Sequence, residues 1–71
     1  MNSELEKGVA YNINYLGDRR TPLVFENAVY LGKTEDGGDY FMWYGHGAYL
    51  KVKGRTVSHM GRDYKVASII K

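Results

Sequence analysis

Cysteine is absent from the chain. Disulfides and thiolate metal sites are therefore excluded. No apolar run approaches the roughly 20 residues that a bilayer-spanning helix needs. The first residues, MNSELEKG, are polar and carry two glutamates, so they form neither a secretory signal nor a transit peptide. Histidine is scarce, with His46 and His59 alone. Negative charge is scarce in the second part of the chain, where Asp63 is the sole acid after residue 40. No internal repeat and no low-complexity segment interrupts the sequence. These absences lead to the expectation of a soluble, cytoplasmic protein, complete in itself, with no membrane association and no cofactor.

At 71 residues there is room for one domain. A domain of this size buries only about 60% of the surface its unfolded chain exposes, so the core is small. Such domains often rely on disulfides, metals or a partner chain. With cysteine missing, good β packing or self-association is left to hold the fold. Residues 1–7 read as flexible or as one helical turn, with Ser3 and Glu6 in the spacing of a capping box and Leu5 as the only anchor. Residues 8–71 read as the domain.

Charge is distributed unevenly. Residues 1–40 carry four basic and seven acidic groups, a net of −3, and residues 41–71 carry six basic groups against Asp63, a net of +5. This asymmetry either marks a surface for an anionic partner or vanishes when the two halves interleave and their charges pair across strands.

What the chain does have is aromatic residues, strand periodicity and turn chemistry. Residues 38–54, GDYFMWYGHGAYLKVKG, hold five of the ten aromatic residues. From Val9 the period is two: Val9, Tyr11, Ile13 and Tyr15 alternate with Ala10, Asn12, Asn14 and Leu16. This is the pattern of a half-buried strand with its asparagines toward water. Gly17-Asp18 ends it, and Arg19 and Arg20 follow on an exposed loop closed by Thr21-Pro22. The alternation of the next strand, residues 23–31, breaks at Glu26-Asn27, where a bulge or bend is expected. Ala28, Val29, Tyr30 and Leu31 then form a continuous apolar run, as in a strand buried on both sides.

Asp36-Gly37-Gly38 is the strongest hairpin signal. In the third strand, residues 39–44, Tyr40, Met42 and Tyr44 share one face and Phe41 and Trp43 the other. Gly45-His46-Gly47 reverses the chain and sets the hairpin register. In the fourth strand Ala48, Leu50 and Val52 are the natural core set, so Tyr49, Lys51 and Lys53 face out. Residues 56–60 make a short fifth strand. Gly61-Arg62-Asp63 leads into the last, residues 64–70, with Val66, Ile69 and Ile70 as its apolar content. Five or six short strands with tight turns and almost no helix predict an all-β fold, a small antiparallel barrel or rolled meander of the SH3-like, Sm-like or OB-like kind.

Several chemistries fail on their own requirements. Leu31-Gly32-Lys33-Thr34 has the end of a phosphate-binding loop. Asn27 stands where the motif needs glycine, and no helix follows. A zinc site needs three or four ligands, and His46 and His59 would require Asp39 or Asp63 to join them. Ser58 adjoins His59, but neighbours on a strand point to opposite faces and cannot relay a proton. The acidic group Glu35, Asp36 and Asp39 lies at a hairpin tip, where solvation is usual, and a chain this short has little depth for a water-excluding pocket. The sequence therefore reads as a non-enzyme.

The pattern that remains is aromatic residues interleaved with basic ones, with Phe41, Trp43, Tyr49, Lys51, Lys53, Arg55 and Lys65 on one curved sheet. The expected partner surface is Tyr40, Trp43, Tyr44, Tyr49, Lys51, Lys53 and Arg55. Trp, Tyr and Arg dominate protein interfaces, which favours docking on a larger protein or complex. The same face suits RNA or single-stranded DNA, where each base stacked on a ring contributes about 1–3 kcal/mol and lysines follow the phosphates. A third reading is a self-associating structural protein, a homo-oligomer that buries its aromatic patch.

Overall fold

The period-two stretch becomes the first strand, β1 (Ala10–Leu16), in a computed structural model that describes residues 5–71. The capping box expected at Ser3 lies outside the described residues. In β1 Tyr11 and Ile13 are buried, and Tyr15 stacks on Phe25 with ring centroids 4.2 Å apart. The intervening asparagines lie outside the barrel. Asn14 donates from Nδ2 to the Ser68 hydroxyl at 3.0 Å, and Asn12 Oδ1 accepts from the Asn27 backbone N–H at 3.1 Å.

That second bond belongs to the expected bulge in β2 (Pro22–Lys33). Ile13 pairs with Phe25 but Tyr11 pairs with Ala28, so the one residue Asn12 spans Glu26 and Asn27. Asn27 takes the left-handed conformation, φ 56°, which asparagine tolerates better than most residues. The extra residue changes which residues face inward, and Phe25, Ala28 and Tyr30 all reach the core. The expectation that residues 28–31 are buried on both sides is corrected here. Val29 is half-buried and Leu31 is 39% exposed. A barrel has one interior, and among the described residues no layer covers the outside of β2.

The remaining strands are β3 (Asp39–Trp43), β4 (Ala48–Lys53), β5 (Thr56–His59) and β6 (Arg62–Ile70). Each pairs antiparallel with its sequence neighbour, and β6 returns to β1, which closes a six-stranded barrel. The turn into β3 needs Gly38 itself, because a Cβ there would stand 2.9 Å from the Val52 carbonyl oxygen. β6 carries a second bulge. Asn14 pairs with Ser68 and Tyr15 with Val66, so both Val66 and Ile69 face inward while Ile70 is 53% exposed on the outside.

The core holds Phe25, Phe41, Ile13, Leu50, Val52, Val57 and Val66 as its most completely buried side chains. Each such side chain contributes about 1.5–3 kcal/mol by leaving water. Two core tyrosines bring hydroxyls that have to be satisfied: Tyr30 donates to Asp39 Oδ1 at 2.7 Å, and the Tyr11 hydroxyl accepts from the Glu6 backbone N–H at 2.9 Å. The up-and-down course sends the β1–β2, β3–β4 and β5–β6 loops to one end and the β2–β3 and β4–β5 turns to the other.

Candidate functional site

The register between β3 and β4 decides what the aromatic stretch presents. Phe41 pairs with Leu50, Met42 with Tyr49 and Tyr40 with Lys51. Leu50 and Val52 are buried, so Phe41 is inside with them, fully buried. Tyr40 and Met42 lie outside beside Tyr49, Lys51 and Lys53. β2 extends this face, since Val29 pairs with Met42. Val29, Met42 and Tyr49 therefore form one row across three strands. Tyr40 and Tyr49 stack diagonally on it, centroids 5.2 Å apart and rings 9° from parallel. Cross-strand aromatic pairs of this kind contribute roughly 0.2–1 kcal/mol.

The basic margin of the face is already engaged. Lys51 Nζ lies 2.6 Å from Asp36 Oδ2, and Lys53 Nζ lies 3.6 Å from the same oxygen. Asp36 also accepts from the Thr34 hydroxyl and from the Gly38 backbone N–H. The Lys51 hydrogen bond, followed by that of Thr34, holds the Asp36 carboxyl well below the usual carboxylate range. The uneven charge of the sequence thus resolves in part by pairing between its halves. Asp18 and Arg62, 3.9 Å apart, are a second such pair at the opposite end of the barrel.

Four of the seven expected partner-surface residues share this face: Tyr40, Tyr49, Lys51 and Lys53. The other three do not. Trp43 follows the inward parity of Phe41 and is half-buried at the barrel end. It packs edge-on against Phe25 at 4.8 Å and contacts both histidines, His46 at 3.7 Å and His59 at 5.6 Å between centroids. Tyr44, 65% exposed, sits in the 3-10 turn (Tyr44–His46) that leaves β3. Arg55 is exposed in the β4–β5 turn at the other end, where its carbonyl accepts from the Val66 N–H at 2.7 Å. Lys65 is on β6, with β5 between it and β4. The single curved aromatic and basic sheet of the sequence reading is therefore divided among one face and two ends.

Four residues on or beside this face lie outside the expected partner surface. The continuous apolar run of residues 28–31 points Val29 and Leu31 to a strand covered on both sides. A hairpin tip points Asp36 to solvent, yet a hairpin returning beside β4 puts it within reach of Lys51. Met42 carried a signal, since its period already grouped it with Tyr40.

The polar side chains considered for catalysis or metal binding are occupied elsewhere. Ser58 donates to Asp63 Oδ1 at 2.7 Å on the outside, while His59 turns inward against Phe25. Asp39 accepts from Tyr30 and lies 3.4 Å from Lys33 Nζ. The two histidines meet at Trp43, but among the described residues no group of three His, Asp or Glu side chains converges, and no pocket is enclosed. No helix among them is long and apolar enough to cross a membrane. Compared with protein-family models, with curated proteins and with solved structures, the chain finds no match.

Proposed function

We propose that this protein is a non-catalytic docking module that binds a larger protein or complex through the outer face of β2, β3 and β4. One observation carries the reading: the Val29–Met42–Tyr49 row with the Tyr40–Tyr49 stack lies open on the outside, and the lysines at its margin are held by Asp36. An apolar strip with a polar rim is what a protein interface desolvates, with tyrosine as anchor. Nucleic-acid binding on this face draws less support. The two tyrosines cover one ring face of each other, and Lys51 and Lys53 spend charge on Asp36 that phosphates would need. The reading takes the protein as soluble and cytoplasmic, a setting that suits a chain without cysteine.

Affinity capture from the cells that make the protein tests it, with wild type beside Tyr49→Arg. Tyr49 is 53% exposed, so the variant keeps its cooperative melt and loses the partner that wild type recovers. Recovery of the same partner by Tyr49→Arg and by Met42→Glu would count against the face. The nucleic-acid reading predicts that labelled single-stranded oligonucleotides bind at low salt, with a steep loss of affinity as salt rises. That result, with no protein partner, would replace docking by nucleic-acid binding.

A further inference from the structure

The barrel closes in strand order, yet its ladders do not run the full length of every strand. β2 pairs with β1 from Pro22 to Val29 but with β3 only from Ala28 onward. Residues 22–26 therefore have β1 on one side and no strand on the other. Among the described residues, no backbone hydrogen bond reaches them from that side. Pro22 and Glu26 are exposed there, with Leu23 at 45% and Val24 at 39%.

The direction of the free backbone groups follows from the preceding turn. The Gly17 N–H donates to the Thr21 carbonyl at 2.8 Å while the Thr21 N–H turns to Asp18, so Gly17 and Thr21 hold the hydrogen-bonded position of the ladder with one of its two bonds. Such pairs alternate along an antiparallel ladder, so Tyr15–Leu23 and Ile13–Phe25 are the next two. Leu23 and Phe25 spend their N–H and C=O groups on β1. Pro22, Val24 and Glu26 direct theirs to the open side. The edge thus offers two donors, the N–H groups of Val24 and Glu26, and three acceptors.

We propose that this edge is a homodimer interface, in which β2 of one copy pairs antiparallel with β2 of a second about a two-fold axis at Val24. In that register each Val24 N–H donates to the Val24 carbonyl of the other copy, and each Glu26 N–H donates to the carbonyl of Pro22. All four donors find acceptors. The N–H that proline lacks falls opposite the Glu26 carbonyl, which stays open to water. A shift of two residues toward Arg20 sets the Glu26 N–H opposite a residue in left-handed conformation, φ 58°, outside the strand. A shift the other way drives each strand into the start of the β2–β3 ladder at Ala28 and Trp43 of the other copy.

Side chains fit the same register. Val24 meets Val24 on the outer face, and Leu23 comes beside the barrel end of the second copy. The basic Arg19-Arg20 turn, just ahead of Pro22, runs alongside Glu26 of the other copy, so opposite charges meet twice by symmetry. Pro22 and Glu26 also blunt the edge against pairing in other registers. The docking face, on the C-terminal half of β2 and on β3 and β4, stays free on both copies, so this interface stands whether or not that face binds a protein.

Sedimentation velocity from about 10 µM to about 1 mM, with amide hydrogen exchange on the same samples, tests the pairing. The expected result is a monomer–dimer equilibrium in which the Val24 and Glu26 amides exchange about tenfold more slowly at the high concentration. Val24→Asp sets two carboxylates face to face at the axis and yields a monomer; Tyr49→Arg leaves the dimer intact. A wild-type monomer at every concentration overturns the proposal. So does a dimer whose Val24 and Glu26 amides exchange at a concentration-independent rate, or one that Tyr49→Arg dissociates. The exchange readout uses wild-type protein, so it decides the matter even if Val24→Asp unfolds.

Discussion

Met60 occupies the turn between β5 and β6 with φ +49°, followed by Gly61 at φ +78°, and is 86% exposed. Two successive residues at positive φ between paired His59 and Arg62 make the tight hairpin turn whose twist suits flanking strands. Glycine takes that conformation freely, but a residue with a Cβ is disfavoured there by roughly 1–2 kcal/mol. Asparagine recovers part of the cost, because its side chain bonds locally to the backbone. Replacing an exposed Met loses no buried surface, so Met60→Asn is expected to stabilise the barrel by about 0.5–1 kcal/mol. For a domain of this length that raises Tm by about 2–8 °C. Met60→Gly gains less, since glycine loses about 0.5–1 kcal/mol more backbone entropy on folding. Met60→Ala is close to neutral, and Met60→Val, β-branched at positive φ, is destabilising. Urea melts followed by Trp43 fluorescence measure the series, and equal slopes show that the unfolded reference is unchanged. The order Asn above Met and Ala above Val is the prediction. If Val matches Met, or Asn falls below it, the turn does not impose the conformation on which the reasoning depends.

Two titrations test the buried and the exposed carboxylate contacts. Burial, then the hydrogen bond to Asp39, pushes the Tyr30 hydroxyl up from 10.0 to about 12. A raised folded value means that this contribution is fully present below pH 10 and is lost as pH rises toward 12. Tyr30→Phe removes a bond to a charged acceptor, costs about 1.5–3 kcal/mol at neutral pH, and flattens the alkaline fall in stability. An alkaline limb unchanged in Tyr30→Phe would assign that fall to other groups. Asp36 behaves in the opposite sense. Its lowered value means stability that is present above the ordinary 3.8 and is lost as pH falls through the lowered one. A carbon-detected NMR titration of its carboxyl shows a midpoint below 3.8 that rises in Lys51→Met and in high salt. A midpoint that ignores both changes would remove Lys51 as the cause.

Much of the barrel was legible because inside–outside alternation is a local property. Val9 to Tyr15 and Ala48 to Val52 fix their own inner faces with no knowledge of a partner strand. Asn27 announced the bulge by breaking that alternation, and Gly37-Gly38 announced a hairpin by backbone freedom alone. Trp43 was different. Both faces of its strand are apolar, so period two could divide Tyr40 and Met42 from Phe41 and Trp43 without saying which pair faced the core. The pairing of Phe41 with Leu50 settles it, and that pairing depends on the loop register.

Asp36 and Lys51 mark the same boundary, since their contact exists only because β3 returns β4 to the hairpin where Asp36 sits. The open edge at residues 22–26 is also a product of register: β2 is longer than β3, and the β2–β3 ladder stops at Ala28 because β3 ends at Trp43. The sequence by itself determined a cysteine-free, all-β chain, its turns and most of its inward residues, because propensity and alternation act between neighbours. Only the tertiary structure decided which aromatic residues are outside, which charges cancel and which strand edge is left open. Those depend on the pairing of residues distant along the chain, which alternation within one strand does not specify.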